Sequence, residues 1–458
     1  MPVSPGATPR PFFGPRVVAA TFVLAVFGWG VGFYGPPVYL QAALHRGVGD
    51  MALVSAAITF HFVLGAVVVA NLPRLYRRWG LPRVTVLGAL VLALGVQGWA
   101  LAATPAQLFA AAALSGAGWV AMGAAAVNAL IAPWYAARRP AALGMAYNGA
   151  SMGGVLFSPL WVLLIAHFQF GGAAALVGVV MVAVVAVLAG TVFRHTPESM
   201  GQAVDGQAPG ASIPAAMGSR GHSPHGGNAV SGGAAPLAPL SAGPASSPAP
   251  DCPRPLRTPW RERRFLTLCG GMALGLFAQI GLIAHLFSLL VPAMGEQGAG
   301  AAMGLCTACA VLGRYAVGRL MPPGADRRRI AAIAYGLQAA GAVALLAGMS
   351  AHAPAWAAGA LCWAGLLLFG SGIGNATSLP PLIAQAEFRR ADAQRAIPLI
   401  VAASQGTYAF APAAFGLLRL DAGATGLFLA AAFIQVAAAA SLLLGRPAAA
   451  ASRSLAHR

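Results

Sequence analysis

Apolar residues fill this chain in blocks of about 20, the length that crosses a hydrocarbon core, and short polar stretches separate the blocks. The blocks are apolar all round and show no two-sided helical stripe, which reads as membrane-spanning helix and not as soluble core. The first half predicts helices near 16–40, 50–72, 83–103, 106–131, 141–166 and 170–193. The second half predicts them near 264–291, 299–321, 328–350, 355–384, 395–420 and 423–446. The expected fold class is an all-α membrane protein, with twelve transmembrane helices in two six-helix bundles at 16–193 and 264–446. Residues 1–15 and 447–458 are read as tails.

Composition agrees with this pattern. Hydrophobic residues make up 58% of the 458 and charged residues 8%, too few to cover a soluble surface. The net charge is +18, and all 28 basic residues are Arg. So basic a chain invites a nucleic-acid reading, but the arginines sit in short loops between spans, where positive charge sets membrane orientation. Arg74, Arg77, Arg78 and Arg83, then Arg138 and Arg139, then Arg327 to Arg329, then Arg389, Arg390 and Arg395 mark every second loop. That predicts both termini on the cytoplasmic side of a bacterial inner membrane. No small-residue cleavage site follows the first apolar run, which is expected to be a retained helix. Cys306 and Cys309 stand three apart with no His or second pair nearby, so packing is expected there and no metal site.

Residues 194–263 change to Gly, Pro, Ser and His, a composition that cannot bury enough surface to fold alone. They are expected to form a disordered cytoplasmic linker, with Arg257, Arg261, Arg263 and Arg264 resting on anionic lipid headgroups. The halves also echo each other. Gly65, Asn71-Leu72 and Arg83-Val84 parallel Gly313, Arg319-Leu320 and Arg329-Ile330, with Ala66 standing where the second copy has Arg314. Weak internal symmetry of this kind is what a transporter built from repeats shows.

Ala132-Pro133-Trp134-Tyr135-Ala136-Ala137-Arg138-Arg139, with Gly149-Ala150-Ser151-Met152-Gly153-Gly154 beyond it, resembles the link from helix 4 into helix 5 of major facilitator superfamily transporters. Within that superfamily the stretch resembles the oxalate/formate-antiporter and monocarboxylate-porter branch, as do Pro197-Glu198-Ser199-Met200-Gly201 and His285-Leu286. The resemblance covers nearly the whole chain except the linker. It implies alternating access of two bundles, and it puts Arg314, four residues before Gly318, on the helix 8 arginine that binds a substrate carboxylate. The loop motif between helices 2 and 3 falls on Gly65, Arg77, Arg78, Gly80 and Arg83, with Gly318 and Arg319 as its echo. The family places an Asp where Arg77 stands, and there that Asp helps to latch one conformation.

Arg314 is the charge drawn furthest into an apolar run, and an intramembrane charge marks a functional site by default. Its guanidinium offers a fork suited to a carboxylate. The plainer alternative is snorkelling, but it lies roughly 10 Å from the cytoplasmic helix end at about 1.5 Å per residue, slightly beyond comfortable reach of the interface. No Asp or Glu falls inside any predicted span, so the cavity should be positive and lack a carboxylate proton carrier. His61 and His285 are the histidines inside apolar runs. Either could couple protons or serve as packing, and His285 could also meet substrate. Trp29 and Tyr34 lie in a Gly- and Pro-interrupted helix 1, the kind of break that marks substrate sites. Asn128, Asn148, Gln279, Asn375 and Gln405 are polar residues inside spans, and each could bond a neighbouring helix or touch substrate. Gly149 with Gly153, and Gly370 with Gly374, form small-xxx-small faces for close helix packing.

The sequence therefore predicts a monomeric secondary transporter, without cofactor or metal, for a small monocarboxylate- or dicarboxylate-like anion. No phosphate-binding loop supports an ATP-driven pump, and no catalytic cluster supports an enzyme. Two alternatives stand beside it: an exporter of drugs or of neutral or cationic metabolites, and a non-transporting membrane sensor on the same scaffold.

Overall fold

The computed structural model describes residues 11–206, 259–322, 324–350 and 354–446. Its regular structure is helical throughout, in the order α1 (Gly14–Gly32), α2 (Pro36–His45), α3 (Met51–Trp79), α4 (Leu81–Leu101), α5 (Pro105–Met122), α6 (Ala124–Ile131) and α7 (Arg139–Leu188), then α8 (Arg263–Leu320), α9 (Arg327–Met349), α10 (Ala355–Glu387), α11 (Arg390–Tyr408) and α12 (Ala411–Leu444).

Nine helical stretches among the described residues are long and apolar enough to span a membrane, and three of them hold two crossings each. The 50 residues of α7 would run roughly 75 Å at about 1.5 Å per residue, far beyond a core of about 30 Å. They turn back at Gln169, with φ 56°. The Tyr39 ring packs against both limbs, 5.1 Å from Trp161 and 5.3 Å from Phe170. In the same way α8 reverses at Gly295 (φ 68°) and α12 at Gly423 (φ 63°). Twelve crossings result among the described residues. The expected gap at 292–298 shrinks to one residue, because a glycine in the left-handed region reverses the chain without a loop.

Three crossings are broken along their length; the interruption of the first is expected from its glycines and prolines, and those of the other two are not. The first breaks at Phe33–Gly35 ahead of Pro36 and Pro37, the fourth at Gly123, and the eleventh at Ala409–Phe410 ahead of Pro412. A helix end leaves its last carbonyls without partners, and at the first break side chains supply them. Trp161 Nε1 donates to Gly30 O at 3.3 Å, the Tyr39 hydroxyl donates to Val31 O at 3.0 Å, and His61 Nε2 lies 3.0 Å from Gly32 O.

Both ends of the described chain lie on one face. There the C-terminal half carries an acid–base network, in which Arg328, 1% exposed, meets both Glu387 oxygens at 2.6 and 2.9 Å and also donates to Thr267, Arg264 O and Leu442 O. Asp326 caps α9 through the N–H groups of Arg328 and Arg329, and its other oxygen lies 2.6 Å from Arg446 Nε. In the N-terminal half the corresponding acid is absent. Arg77 and Arg78 are exposed in the last turn of α3, Arg78 lies over the Trp79 ring, Gly80 turns the chain at φ 80°, and Arg83 is exposed.

A different acid orders that half. Asp205 accepts hydrogen bonds from the backbone N–H groups of Ala136, Ala137 and Arg138, at the start of α7. Burial, together with the Asp205 carboxylate, pushes the Tyr135 hydroxyl above its ordinary range. Gln202 accepts the Phe13 N–H at 2.8 Å and donates to Pro11 O. Residues 194–206, which composition assigned to the linker, are thus folded onto the first bundle. The rest of that expected linker to 258, with His222, His225, Cys252 and Arg257, lies outside the described residues, as do residues 1–10 and the tail 447–458.

Candidate functional site

The two halves meet most closely near the face opposite the termini. Gly300 and Gly304 of α8 pack against Ser158, Pro159 and Val155 of α7, and Gly416 of α12 packs against Ser55 and Met51 of α3. Thr59 accepts the Ala413 N–H at 2.9 Å, Arg419 donates to Ser288 Oγ, and His45 Nδ1 lies 3.7 Å from Glu296.

On the terminus side of these contacts lies a cavity of about 370 Å³ between the halves. It reaches from Phe33 and Tyr34 towards Val69, Pro381 and Val401. All three mid-membrane breaks border it, through Phe33 and Tyr34, Gly123 and Ala124, and Tyr408 and Ala409. A broken helix presents backbone groups and re-aimed side chains to a cavity, which makes such breaks the natural floor of a transport site.

Arg314 lies in this wall. Its Nε donates to Gly374 O at 3.2 Å, which fixes the stem against α10. Among the described residues neither of its terminal nitrogens has a hydrogen-bond partner. Tyr34 lines the same cavity, its ring beside Thr307 over Gly154. Of the described residues that line the cavity, Arg314 is the one charged side chain, and none is Asp, Glu or His. An uncompensated guanidinium in a low-dielectric cleft gives it a positive potential.

The other sequence-selected residues divide between the wall and the packing behind it. Trp29, Tyr34, Gln279 and Gln405 line the cavity. Asn128 stands behind the wall and donates to the Tyr147 hydroxyl at 2.8 Å; Tyr147 in turn packs edge-on to Trp29. Asn375 is buried and bonds Ser371 O within α10. His285 lies off the wall, with Nε2 3.1 Å from Pro412 O. His61 is also off the wall. Its ring bridges Gly32 O and the Ser115 hydroxyl (2.8 Å) and stacks on Trp119.

The small-residue faces pack helix to helix. Gly149 and Gly153 meet the α1 backbone at Phe22 and Val26, and Gly370 and Gly374 meet α8 at Cys306 and Ala310. Gly65 packs on Gly116 and Val120 of α5. Gly318 is half-buried and Arg319 exposed at the end of α8. Sequence reasoning missed Trp119, Tyr147, Thr377 and Tyr408 as lining residues. Nothing in the apolar pattern separates an aromatic on a cavity wall from one facing lipid.

A sequence profile of the Major Facilitator Superfamily matches residues 17–412. The chain belongs to this superfamily. Its helices superpose on the nucleoside transporter NupG with a TM-score of 0.63 at 11% identity, covering 94% of this chain and 98% of that one. A mutant form of NupG gives 0.64 at 12% identity, over 94% and 100%. A bacterial homologue of the human lysosomal transporter Spinster, in an inward-facing and occupied conformation, gives 0.62 at 13% identity, over 96% and 97%. At these identities the likeness concerns the fold alone. No curated protein matches the chain in sequence. Superfamily membership makes the chain a multi-pass membrane transporter of small molecules.

Proposed function

We propose that this transporter moves a small organic anion, monocarboxylate- or dicarboxylate-like, across the bacterial inner membrane by alternating access, with both termini cytoplasmic. The observation that carries the reading is Arg314, with its stem fixed to Gly374 O, its fork free and no acid in the surrounding wall. A carboxylate satisfies both terminal nitrogens at once, and such charge-assisted pairs are about twice as strong as neutral hydrogen bonds. The resemblance of residues 132–154 to the oxalate/formate-antiporter and monocarboxylate-porter branch supports the same reading. With the termini inside, the contacts at the opposite face close the outer side and the described conformation faces inward.

The test is uptake of radiolabelled carboxylates into proteoliposomes. Arg314→Ala should abolish uptake while the purified protein stays monodisperse, and normal uptake by that variant would overturn the proposal. The aromatic wall favours a second reading, an exporter of lipophilic cations or neutral compounds. It predicts that such compounds compete for transport while carboxylates do not.

A further inference from the structure

The cavity has two unlike walls. Six of its seven aromatic residues come from the N-terminal half, Trp29, Phe33, Tyr34, Phe62, Trp119 and Tyr147, and Tyr408 is the one from the other half. Arg314, Gln279, Thr307, Thr377 and Gln405 come from the C-terminal half. The aromatic wall is itself held in place. Trp119 stacks on His61, Phe62 packs edge-on to Trp119, and Tyr147 is fixed by Asn128 and by Trp29.

Resting on the anion reading above, we infer that the substrate is a monovalent carboxylate with a flat, apolar body of aromatic-ring size, and not a compact dicarboxylate. Three features of the cavity converge on this class.

The wall offers one cation, so a second carboxylate would enter an apolar, low-dielectric site without a partner, a costly transfer. The volume, about 370 Å³, is near the lower end of the roughly 300–1,000 Å³ typical of pockets for drug-sized ligands. A two-carbon diacid would leave most of the aromatic wall without contact. Aromatic faces also prefer edge-on or offset rings as partners, and Trp29, Trp119 and Tyr147 bring such rings to the cavity that Arg314 lines. A molecule of this kind, with its carboxylate on Arg314 of one bundle and its ring against the other, ties the two halves together when bound.

The test measures binding to the purified full-length protein by calorimetry, with benzoate, benzamide, terephthalate and oxalate as probes. Benzoate should bind at least about tenfold more tightly than each of the others, a factor of ten being about 1.4 kcal/mol, near the low end of the cost of one buried unpaired group. Benzoate affinity should fall on Arg314→Gln and also on Trp29→Leu, each variant being checked for monodispersity. Oxalate or terephthalate binding as tightly as benzoate, and depending on Arg314, would overturn the inference while leaving the anion reading intact. Benzamide binding as well as benzoate, or carboxylate binding indifferent to Arg314→Gln, would overturn both. The comparison of probes on the unaltered protein keeps the inference falsifiable if a variant fails to fold.

Discussion

Arg328 Nε and Glu387 Oε1 lie 2.6 Å apart at the end of the C-terminal bundle, with Arg328 almost wholly enclosed. The pair joins α9 to α10, and the remaining guanidinium nitrogens reach Thr267 and Arg264 O at the start of α8 and Leu442 O at the end of α12. Four helix ends therefore share one cation. Glu387→Ala leaves that cation buried and uncompensated, a loss of about 3–5 kcal/mol for buried pairs. A clear fall in the thermal unfolding midpoint of the purified protein is expected. Arg328→Lys should not be neutral either, because a point charge cannot serve acceptors in four directions. A midpoint unchanged by Glu387→Ala would show that the network contributes nothing to stability.

Asp205 does for the N-terminal bundle what Asp326 does for its counterpart, but from outside the loop. Its carboxylate sits on three N–H groups at the start of α7, where the helix dipole also favours negative charge. Its backbone has φ 61°, a region that Asn tolerates and Ala does not. Asp205→Ala should therefore loosen residues 134–138 more than Asp205→Asn. Hydrogen exchange at the Ala136, Ala137 and Arg138 amides measures this directly, and equal protection in the two variants would contradict it.

His61 is a cap for the broken first crossing. Removing the ring in His61→Ala leaves Gly32 O short of its side-chain partner, at about 1–3 kcal/mol for a buried unsatisfied group, while the Ser115 hydroxyl keeps Trp99 Nε1 and Ala112 O. His61→Gln keeps a donor for Gly32 O and should retain transport with a smaller loss of midpoint. If His61→Gln abolishes pH-driven uptake while leaving exchange intact, the ring is a proton carrier after all.

The apolar pattern made the crossings and their pseudo-repeat legible, and Arg314 stood out because a lone charge in an apolar run has few explanations. The breaks at Gly123 and at Ala409–Phe410 were hidden. Gly123 sits among alanines and glycines that are helical elsewhere in the chain, and Pro412 is tolerated one residue into a new helix. Arg328 read as one of three loop arginines, because sequence distance conceals the 59 residues that separate it from Glu387. The partition of Trp29 and Tyr34 to the cavity, and of His285 and Asn375 behind it, depends on helix rotation. Hydropathy does not encode rotation when every face of a helix is apolar.

A wall without Asp, Glu or His has no side chain that takes up a proton near neutral pH. An inward proton gradient should then fail to drive accumulation of a fully ionised carboxylate beyond its equilibrium distribution. Preloading the vesicles with unlabelled carboxylate should accelerate uptake by exchange. Uphill accumulation driven by the gradient alone, and lost in Arg314→Ala, would place the proton carrier elsewhere in the protein.

The contacts at the face opposite the termini are glycine-based, so they can be wedged. A Cβ added at Gly300 would lie 2.8 Å from Val162 and 3.3 Å from Pro159, and one at Gly304 would lie 3.0 Å from Val155 O. Backbone on one side and a proline ring on the other leave little room to yield. Gly304→Leu should hold α7 and α8 apart and shift the protein towards the conformation open at that face. The shift follows because packed interfaces switch between discrete arrangements and do not deform smoothly. In a cysteine-free background, Gln405→Cys reports on the cavity, which it lines from the C-terminal half. Without the wedge, an impermeant maleimide should reach it from the terminus-bearing face alone. With the wedge it should also react from the opposite face, and transport should fall because closure there is part of the cycle. Labelling that stays confined to the terminus-bearing face would mean that these glycines pack the halves without gating them.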